Sequence, residues 1–317
     1  MNRPPAAHRW LFFGATLSLI SLTPASTRAD CATAPDGLVA WWRAEGNAQD
    51  SAGTHHGALS GATFTSGRVG QAFSFDGGND GVLVGDAVGL RPTTNLTIEG
   101  WIKTSGVSPS AQAAFIAARS GTATDGFEFG VYPVPTGELR FTLNGGAGGG
   151  DLFSTNSVTD NVFHHVAATY DGVVMRIYRD GLLDGAKAFT QPISYTLGSP
   201  LWIGRREFAS IPGHFAGLVD ELSIYNRTLS ASDIAAIHAA GNDGKCIRPE
   251  LNIAPLPGAV RLTWTTNAVG YLLETNSALT LPAGWGVLTS NFSVLNTNFA
   301  VTNSVAGAVR FYRLHKP

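Results

Sequence analysis

Residues 162–181 read Val-Phe-His-His-Val-Ala-Ala-Thr-Tyr-Asp-Gly-Val-Val-Met-Arg-Ile-Tyr-Arg-Asp-Gly. Two β-rich runs, 162–170 and 173–179, flank Asp171-Gly172, and Asp180-Gly181 marks the next reversal. A tight hairpin turn of the primed type needs positive φ, which Gly and Asp tolerate, so the stretch predicts an antiparallel meander. The pattern extends outward in both directions. From Gly37 to Asn226, apolar or alternating runs are separated by turns rich in Gly, Asp or Asn, which predicts strands at 38–43, 72–76, 96–104, 113–119, 126–132, 138–143, 200–204 and 215–225 as well. Such spacing predicts an all-β antiparallel sandwich.

One helix follows the last strand. Ser230 stands as N-cap with Asp233 three residues on, Leu229 is placed to staple against Ile234, and Gly241 ends the run. A short helix here is expected to close an edge or end of the sandwich and to bring Cys246 back to Cys31. These are the two cysteines of the 317-residue chain, and they bracket the β block, so their placement reads as one disulfide closing one extracellular domain. The rival is a pair of free buried thiols. Closing so long a loop would stabilise the fold by up to about 5 kcal/mol on the chain-entropy model.

The amino terminus supports export. Arg3 and Arg9 precede an apolar run from Trp10 to Leu22, and Thr27-Arg28-Ala29 has the small residues of a cleavage site, so 1–29 is expected to be a signal peptide. The run is too short for a permanent span, and Asp30 before Cys31 spoils a lipoprotein box, so release without a membrane anchor is expected: secreted, with periplasm or cell surface as variants. Cleavage leaves 18 of the 21 basic groups against 23 acidic ones, a charge near −5, with no basic stripe to hold nucleic acid.

The expected domains are therefore 1–29, a β domain at 30–247, a linker at 248–257 stiffened by Pro249, Pro255 and Pro257, and a module at 258–317. That module has strand patterns at 260–264, 271–275, 285–289, 299–302 and 309–314, a small β-sandwich of immunoglobulin or fibronectin type III size. Gly145 to Gly150 reads as a flexible loop.

Several motifs then arrive in a fixed order: Gly37-Leu-Val-Ala-Trp-Trp42, Gly46-Asn-Ala-Gln-Asp-Ser51, Gly70-Gln-Ala-Phe-Ser-Phe-Asp-Gly77, Leu96-Thr-Ile-Glu-Gly-Trp-Ile102, His164-His-Val-Ala167, Asp180-Gly181 and Asp220-Glu-Leu-Ser-Ile-Tyr-Asn-Arg227. This string resembles the LamG-like jelly-roll domain of the concanavalin A-like lectin/glucanase superfamily across roughly residues 37 to 241. The resemblance implies a two-sheet jelly roll, extracellular placement, binding of a glycan or protein, and often a bound Ca²⁺. The carboxy-terminal part, with Trp264, Tyr271, Trp285 and Phe311-Tyr-Arg-Leu314, looks like the short β modules that end many secreted bacterial proteins.

Candidate site residues follow from alternation. In 218–225, strict alternation places Asp220 with Leu218, Leu222 and Ile224, hence among core residues. A buried carboxylate needs a partner, and outside the cell Ca²⁺ is the natural one, with Asp50 from the Asn47–Gly53 loop, Asp76, and Asp80 as further oxygen donors; the alternative is a backbone or Arg partner and no ion. Asp76-Gly-Gly-Asn-Asp80-Gly is no EF-hand, because position three is Gly. Trp101 and Glu99 share the face opposite Ile98 and Ile102, and Tyr178 lies opposite Met175 and Ile177, so Trp101, Glu99 and Tyr178 form a candidate sugar-stacking face. The alternative is that Trp101 covers the outer sheet. His164 reads as a satisfied core histidine, His165 points the other way, and His55-His56 lacks zinc spacing. Asn95, Asn226 and Asn291 head glycosylation sequons.

The superfamily's laminarinase-type enzymes carry an E-x-D-x-x-E strand, which places nucleophile and acid/base on one face. That triplet is missing, as are serine elbows, P-loops and dinucleotide fingerprints. The expectation is a non-catalytic, calcium-assisted binding or adhesion protein for an extracellular glycan or protein. A glycoside hydrolase with a displaced acid pair (Glu45, Glu99 and Glu128 being the first to test) and a purely structural surface protein are the alternatives.

Overall fold

Strand Ala216–Tyr225 is the axis of the fold. The computed structural model describes residues 31–315 except 107–113, 133–135, 207–212, 248, 250, 266–270, 278–283, 289–291, 296–297 and 305–309. The predicted leader and Asn291 lie outside the described residues. Along one side Ala216–Tyr225 pairs with Leu96–Lys103; along the other its first half pairs with Gln71–Asp76 and its second with Leu38–Trp42. The sheet continues from Leu96–Lys103 through His164–Tyr170 and Val174–Arg179 to Leu182–Ala188, and ends on the far side at Thr63–Ser66. Among the described residues it has eight strands.

A seven-stranded sheet faces it, in the order Asp151–Ser157, Glu138–Leu143, Phe127–Val131, Ala114–Arg119, Leu201–Ile203, Gly81–Val84, Gly57–Ser60. All of these pairings are antiparallel, and the fold is a jelly-roll β-sandwich. Alternation aims every second residue of both sheets inward, where Phe73, Ile98, Ile102, Phe129, Phe141, Val166, Ile177, Ile203, Val219, Leu222 and Ile224 share one core. Each such side chain contributes about 1.5–3 kcal/mol by leaving water.

The meander expected from residues 162–181 is present, with one turn displaced. The Asp171 amide donates to the Val174 carbonyl at 3.4 Å, so the turn residues are Gly172 and Val173. Gly172 alone takes positive φ there, while the Asp171 carboxylate accepts from the Val173 and Val174 amides. At the second turn Asp180 and Gly181 both take positive φ, as their identities suggest. The strands that alternation did not reveal, Gly57–Ser60, Thr63–Ser66, Gly81–Val84, Asp151–Ser157 and Leu182–Ala188, are short or polar pieces, most of them at or beside a sheet edge. Gly145 to Gly150 is a tight turn in which four glycines take positive φ, rather than an open loop.

The helix Ala231–Ala240 begins in a reciprocal capping box: the Ser230 hydroxyl accepts from the Asp233 amide and the Asp233 carboxylate accepts from the Ser230 amide. Leu229, Ile234 and Ile237 pack against Ala167, Tyr178 and Tyr225. The helix therefore covers the outer face of the eight-stranded sheet, where a plug at an edge or end was expected. It delivers Lys245–Cys246 into a short parallel pairing with Ala32–Thr33, and Cys31 is disulfide-bonded to Cys246 with Cα atoms 5.6 Å apart.

Beyond residue 250 a four-stranded sheet (Asn252–Leu256, Ala259–Thr265, Asn298–Ser304, Ser293–Leu295) and a three-stranded sheet (Gly286–Val287, Leu272–Asn276, Phe311–His315) enclose their own apolar cluster around Leu262, Trp264, Leu273 and Val301. Part of the expected linker is thus an edge strand: Pro255 sits opposite Val260, and proline is tolerated there because an edge residue can do without a donor. Among the described residues no helix is long and apolar enough to cross a membrane.

Replacing Cys31 and Cys246 together by serine is expected to lower unfolding free energy by up to about 5 kcal/mol in urea titrations, with the β far-ultraviolet spectrum retained at 25 °C.

Candidate functional site

A β-bulge reorders the faces of the central strand. Val219 pairs with Ile102 and Asp220 with Trp101, but the next paired residue is Ser223, opposite Glu99. Glu221 is the inserted residue, with φ at +57°. Val219 and Leu222 consequently both point into the core, and Asp220 shares the outer face with Trp101. The expectation that Asp220 sits on the core side is corrected by this one inserted residue. Asp220 is nonetheless fully buried, under the Gly67–Gly70 turn, where one carboxylate oxygen accepts from the Val69 amide at 2.8 Å and the other has no hydrogen-bond partner. Burial, with the charge of Glu221 beside it, pushes its pKa up to about 7.

The three carboxylates expected to share Ca²⁺ do not form a set. Asp50 is consumed by its own loop: its oxygens accept from the amides of Trp41, Ala52 and His55, and one lies 3.3 Å from His55 Nδ1. Asp76 is exposed and caps the Gly78 amide, with Asp80 accepting from the Asp76 amide. Among the described residues no three of His, Cys, Asp and Glu gather in a group able to hold a metal. The proposed Asp50–Asp76–Asp220 arrangement does not fit a calcium ion, which takes six to eight oxygens around one point.

The candidate stacking face of Trp101, Glu99 and Tyr178 is also corrected. Sheet alternation places all three outward as expected, but the helix and the segment after it cover them, leaving each at most 4% exposed. Trp101 is packed by the rings of His165 and His238 and by the Arg68 guanidinium. Glu99 accepts from His165 Nε2 at 3.0 Å and meets Lys245 Nζ at 3.1 Å. Burial alone would disfavour its charge, but the Lys245 ammonium and His165 together hold its carboxyl below the usual range. His164, at the strand end, bridges Asp180 and Asp160 at 2.8 and 3.0 Å. The hydrogen bond to Asp180 raises its pKa against the cost of burial.

The outer face of the seven-stranded sheet carries a different set. A cross-strand row runs Trp202, Ala118, Glu128, Thr142, Asp151. Glu128 accepts from Arg206 at 2.8 Å and from Ser120 at 3.0 Å. Asp151 accepts from Thr142 at 2.7 Å and from both Nε and Nη2 of Arg140. The Arg205 and Arg206 guanidiniums lie over the rings of Trp202 and Phe115 at 3.6 and 4.6 Å. Beside the row, Tyr132 and Phe153 meet edge to face at 5.3 Å, each 39% exposed, with Arg140 over Phe153. The result is an exposed aromatic pair flanked by fixed donors and acceptors. No alternation within one strand reveals it, because its members come from different strands brought level by register.

The family model described as the concanavalin A-like lectin/glucanases superfamily matches residues 76–235. The chain belongs to this superfamily. No curated protein matches it. Among solved structures, the binding domain of Paraclostridial Mosquitocidal Protein 1 is similar at 14% identity and a TM-score of 0.51, covering 83% of this chain and 66% of that one. The binding domain of botulinum neurotoxin DC in complex with SialylT is similar at 12% identity and a TM-score of 0.50, covering 84% of this chain and 81% of that one. A Trypanosoma rangeli sialidase in complex with 2,3-difluorosialic acid is similar at 19% identity and a TM-score of 0.50, with 66% of this chain and 34% of that chain covered. At these identities the likeness establishes the shared fold.

Within this superfamily fold, the acids named for testing do not converge. Glu99 and Glu128 lie on opposite outer faces, with the sandwich core between them. Glu45 sits on a turn and accepts from the Gln71 amide.

Two outcomes are expected. Asp220 ionises near pH 7 folded but near 3.8 unfolded, so stability is fully present below pH 3.8 and falls as pH rises through about 7. Asp220→Asn removes that loss and is expected to gain up to about 4 kcal/mol over wild type at pH 8, measured by urea melts from pH 5 to 9. Asp50→Ala is expected to destabilise by the same amount with and without millimolar Ca²⁺, read by calorimetry, since its loss is that of four hydrogen bonds.

Proposed function

We propose that the chain is a secreted, non-catalytic glycan-binding protein whose binding surface is the outer face of the seven-stranded sheet. The exposed Tyr132–Phe153 pair carries this reading. Sugar rings present flat C–H faces to aromatic rings, and the flanking hydrogen-bonding groups fix the hydroxyls. Thr142, Asp151 and Arg140 stand beside the pair and are already held by one another, so they would meet a ligand with little loss of freedom. The disulfide and the leader sequence support an extracellular site of action. The botulinum neurotoxin binding domain in complex with SialylT supports the use of this kind of fold for sugar recognition.

A second reading is favoured by one observation on the same face. Glu128 and Asp151 lie two strands apart in one row, about 10 Å between their Cα positions, a spacing within reach of an inverting glycosidase pair. Both carboxylates are tied to guanidiniums, which leaves neither free to hand a proton to a leaving oxygen. The binding reading is therefore preferred.

On a glycan array, wild type is expected to retain a defined set of oligosaccharides. Tyr132→Ala and Phe153→Ala are each expected to weaken that binding about tenfold or more without lowering Tm. Sugar release from a polysaccharide panel, lost in Glu128→Gln or Asp151→Asn, would instead establish the enzyme.

A further inference from the structure

The outer face of the eight-stranded sheet holds a buried cation, Lys245, at its centre, and the groups around it are arranged as a binding site is. Lys245 Nζ lies 3.1 Å from Glu99 Oε1, donates to the Glu221 carbonyl at 3.1 Å, and lies 3.6 Å from Glu221 Oε2. Those three oxygens match the three donors of an ammonium. The ring of Trp41 closes the remaining side, 5.3 Å from the nitrogen, and its own Nε1 donates to Glu221 Oε2. Both acids of the cage are oriented from behind: Glu99 by His165 and Tyr225, Glu221 by Trp41 and Arg43. Glu99, Glu221 and the Lys245 side chain are each no more than 1% exposed.

Two features distinguish this cage from an ordinary structural ion pair. Its key acid sits at the bulge with φ at +57°, a conformation that costs a non-glycine residue energy and that directs both the carbonyl and the carboxylate of Glu221 at the same nitrogen. The cation also comes from a short segment after the helix, Gly241 to Cys246, whose end is tethered by the disulfide to Cys31. The segment is already held by its pairing with Ala32–Thr33, and the ion pair adds little to that because desolvation offsets much of its attraction.

We infer that Glu99, Glu221 and Trp41 form a site for a primary alkylammonium, such as the end of a lysine side chain, which the chain fills with its own Lys245 and keeps closed with the Cys31–Cys246 disulfide. A dithiol opens it: two electrons convert Cys31 and Cys246 to thiols while the dithiol becomes a disulfide, and the segment carrying Lys245 is then free to exchange with an outside amine. The site is separate from the Tyr132–Phe153 face and does not depend on the glycan reading.

The test uses the full, disulfide-bonded chain. Lys245→Ala deletes the equivalent of n-propylammonium. Added n-propylammonium is expected to raise the Tm of this variant by a few degrees and to leave wild type unmoved, while 1-propanol produces no such difference. Equal shifts in both proteins, no shift in either, or a matching effect of 1-propanol would overturn the site. If Lys245→Ala does not fold, wild type is measured by amide hydrogen exchange at residues 244–246. There n-propylammonium is expected to speed exchange after reduction by a dithiol and not before; unchanged exchange after reduction would sink the inference.

Discussion

One inserted residue in strand Ala216–Tyr225 governs both the inside and the outside of the sandwich. With Glu221 in the left-handed region, Val219 and Leu222 both face the core, so the strand keeps its apolar seam on either side of the bulge. The same insertion leaves Asp220 outward beside Trp101 and turns Glu221 toward Lys245. Regular alternation would break one of these arrangements. The strand also divides its partners near that point, pairing with Gln71–Asp76 before it and Leu38–Trp42 after it.

The two outer faces have opposite fates as a consequence. On the eight-stranded sheet, the helix and the disulfide-tethered segment cover an aromatic and acidic surface that would otherwise be a strong candidate for ligand contact. Beneath the cover Lys245 stands between Glu99 and Glu221, and His165 supports Glu99 from the other side, while Asp220 keeps one oxygen without a hydrogen-bond partner. On the seven-stranded sheet, guanidiniums of Arg140 and Arg206 satisfy the carboxylates while the Tyr132–Phe153 pair stays open. Among the described residues, the exposed Tyr132–Phe153 pair with its fixed polar neighbours therefore lies on that second face.

The elements with their own local code were legible in the sequence. Asp180-Gly181 forms its turn where predicted, the Ser230–Asp233 capping box starts the helix at the expected residue, and the long alternating strands lie within a residue or two of their expected ends. The failures are equally local in cause. Strict period-two reading put Asp220 in the core because an inserted residue leaves no mark in the pattern of apolar and polar letters. Trp101, Glu99 and Tyr178 were correctly placed on an outward face, yet outward did not mean exposed once a helix lay across them.

By itself the sequence determined the periodicities, turns and helix cap, hence an antiparallel β-sandwich, because each of these is set by a residue's own conformational preference or by near neighbours; the jelly roll was implied by the resemblance its ordered motifs carry, and the Cys31–Cys246 pairing is made by the fold. Only the tertiary structure decided which groups meet. Glu128, Thr142 and Asp151 are level because three strands pair in one register, and Glu99 finds Lys245, 146 positions away in the numbering, because the helix folds back over the sheet. Contacts of that kind depend on where distant segments come to rest, and the order of residues along a chain does not state it.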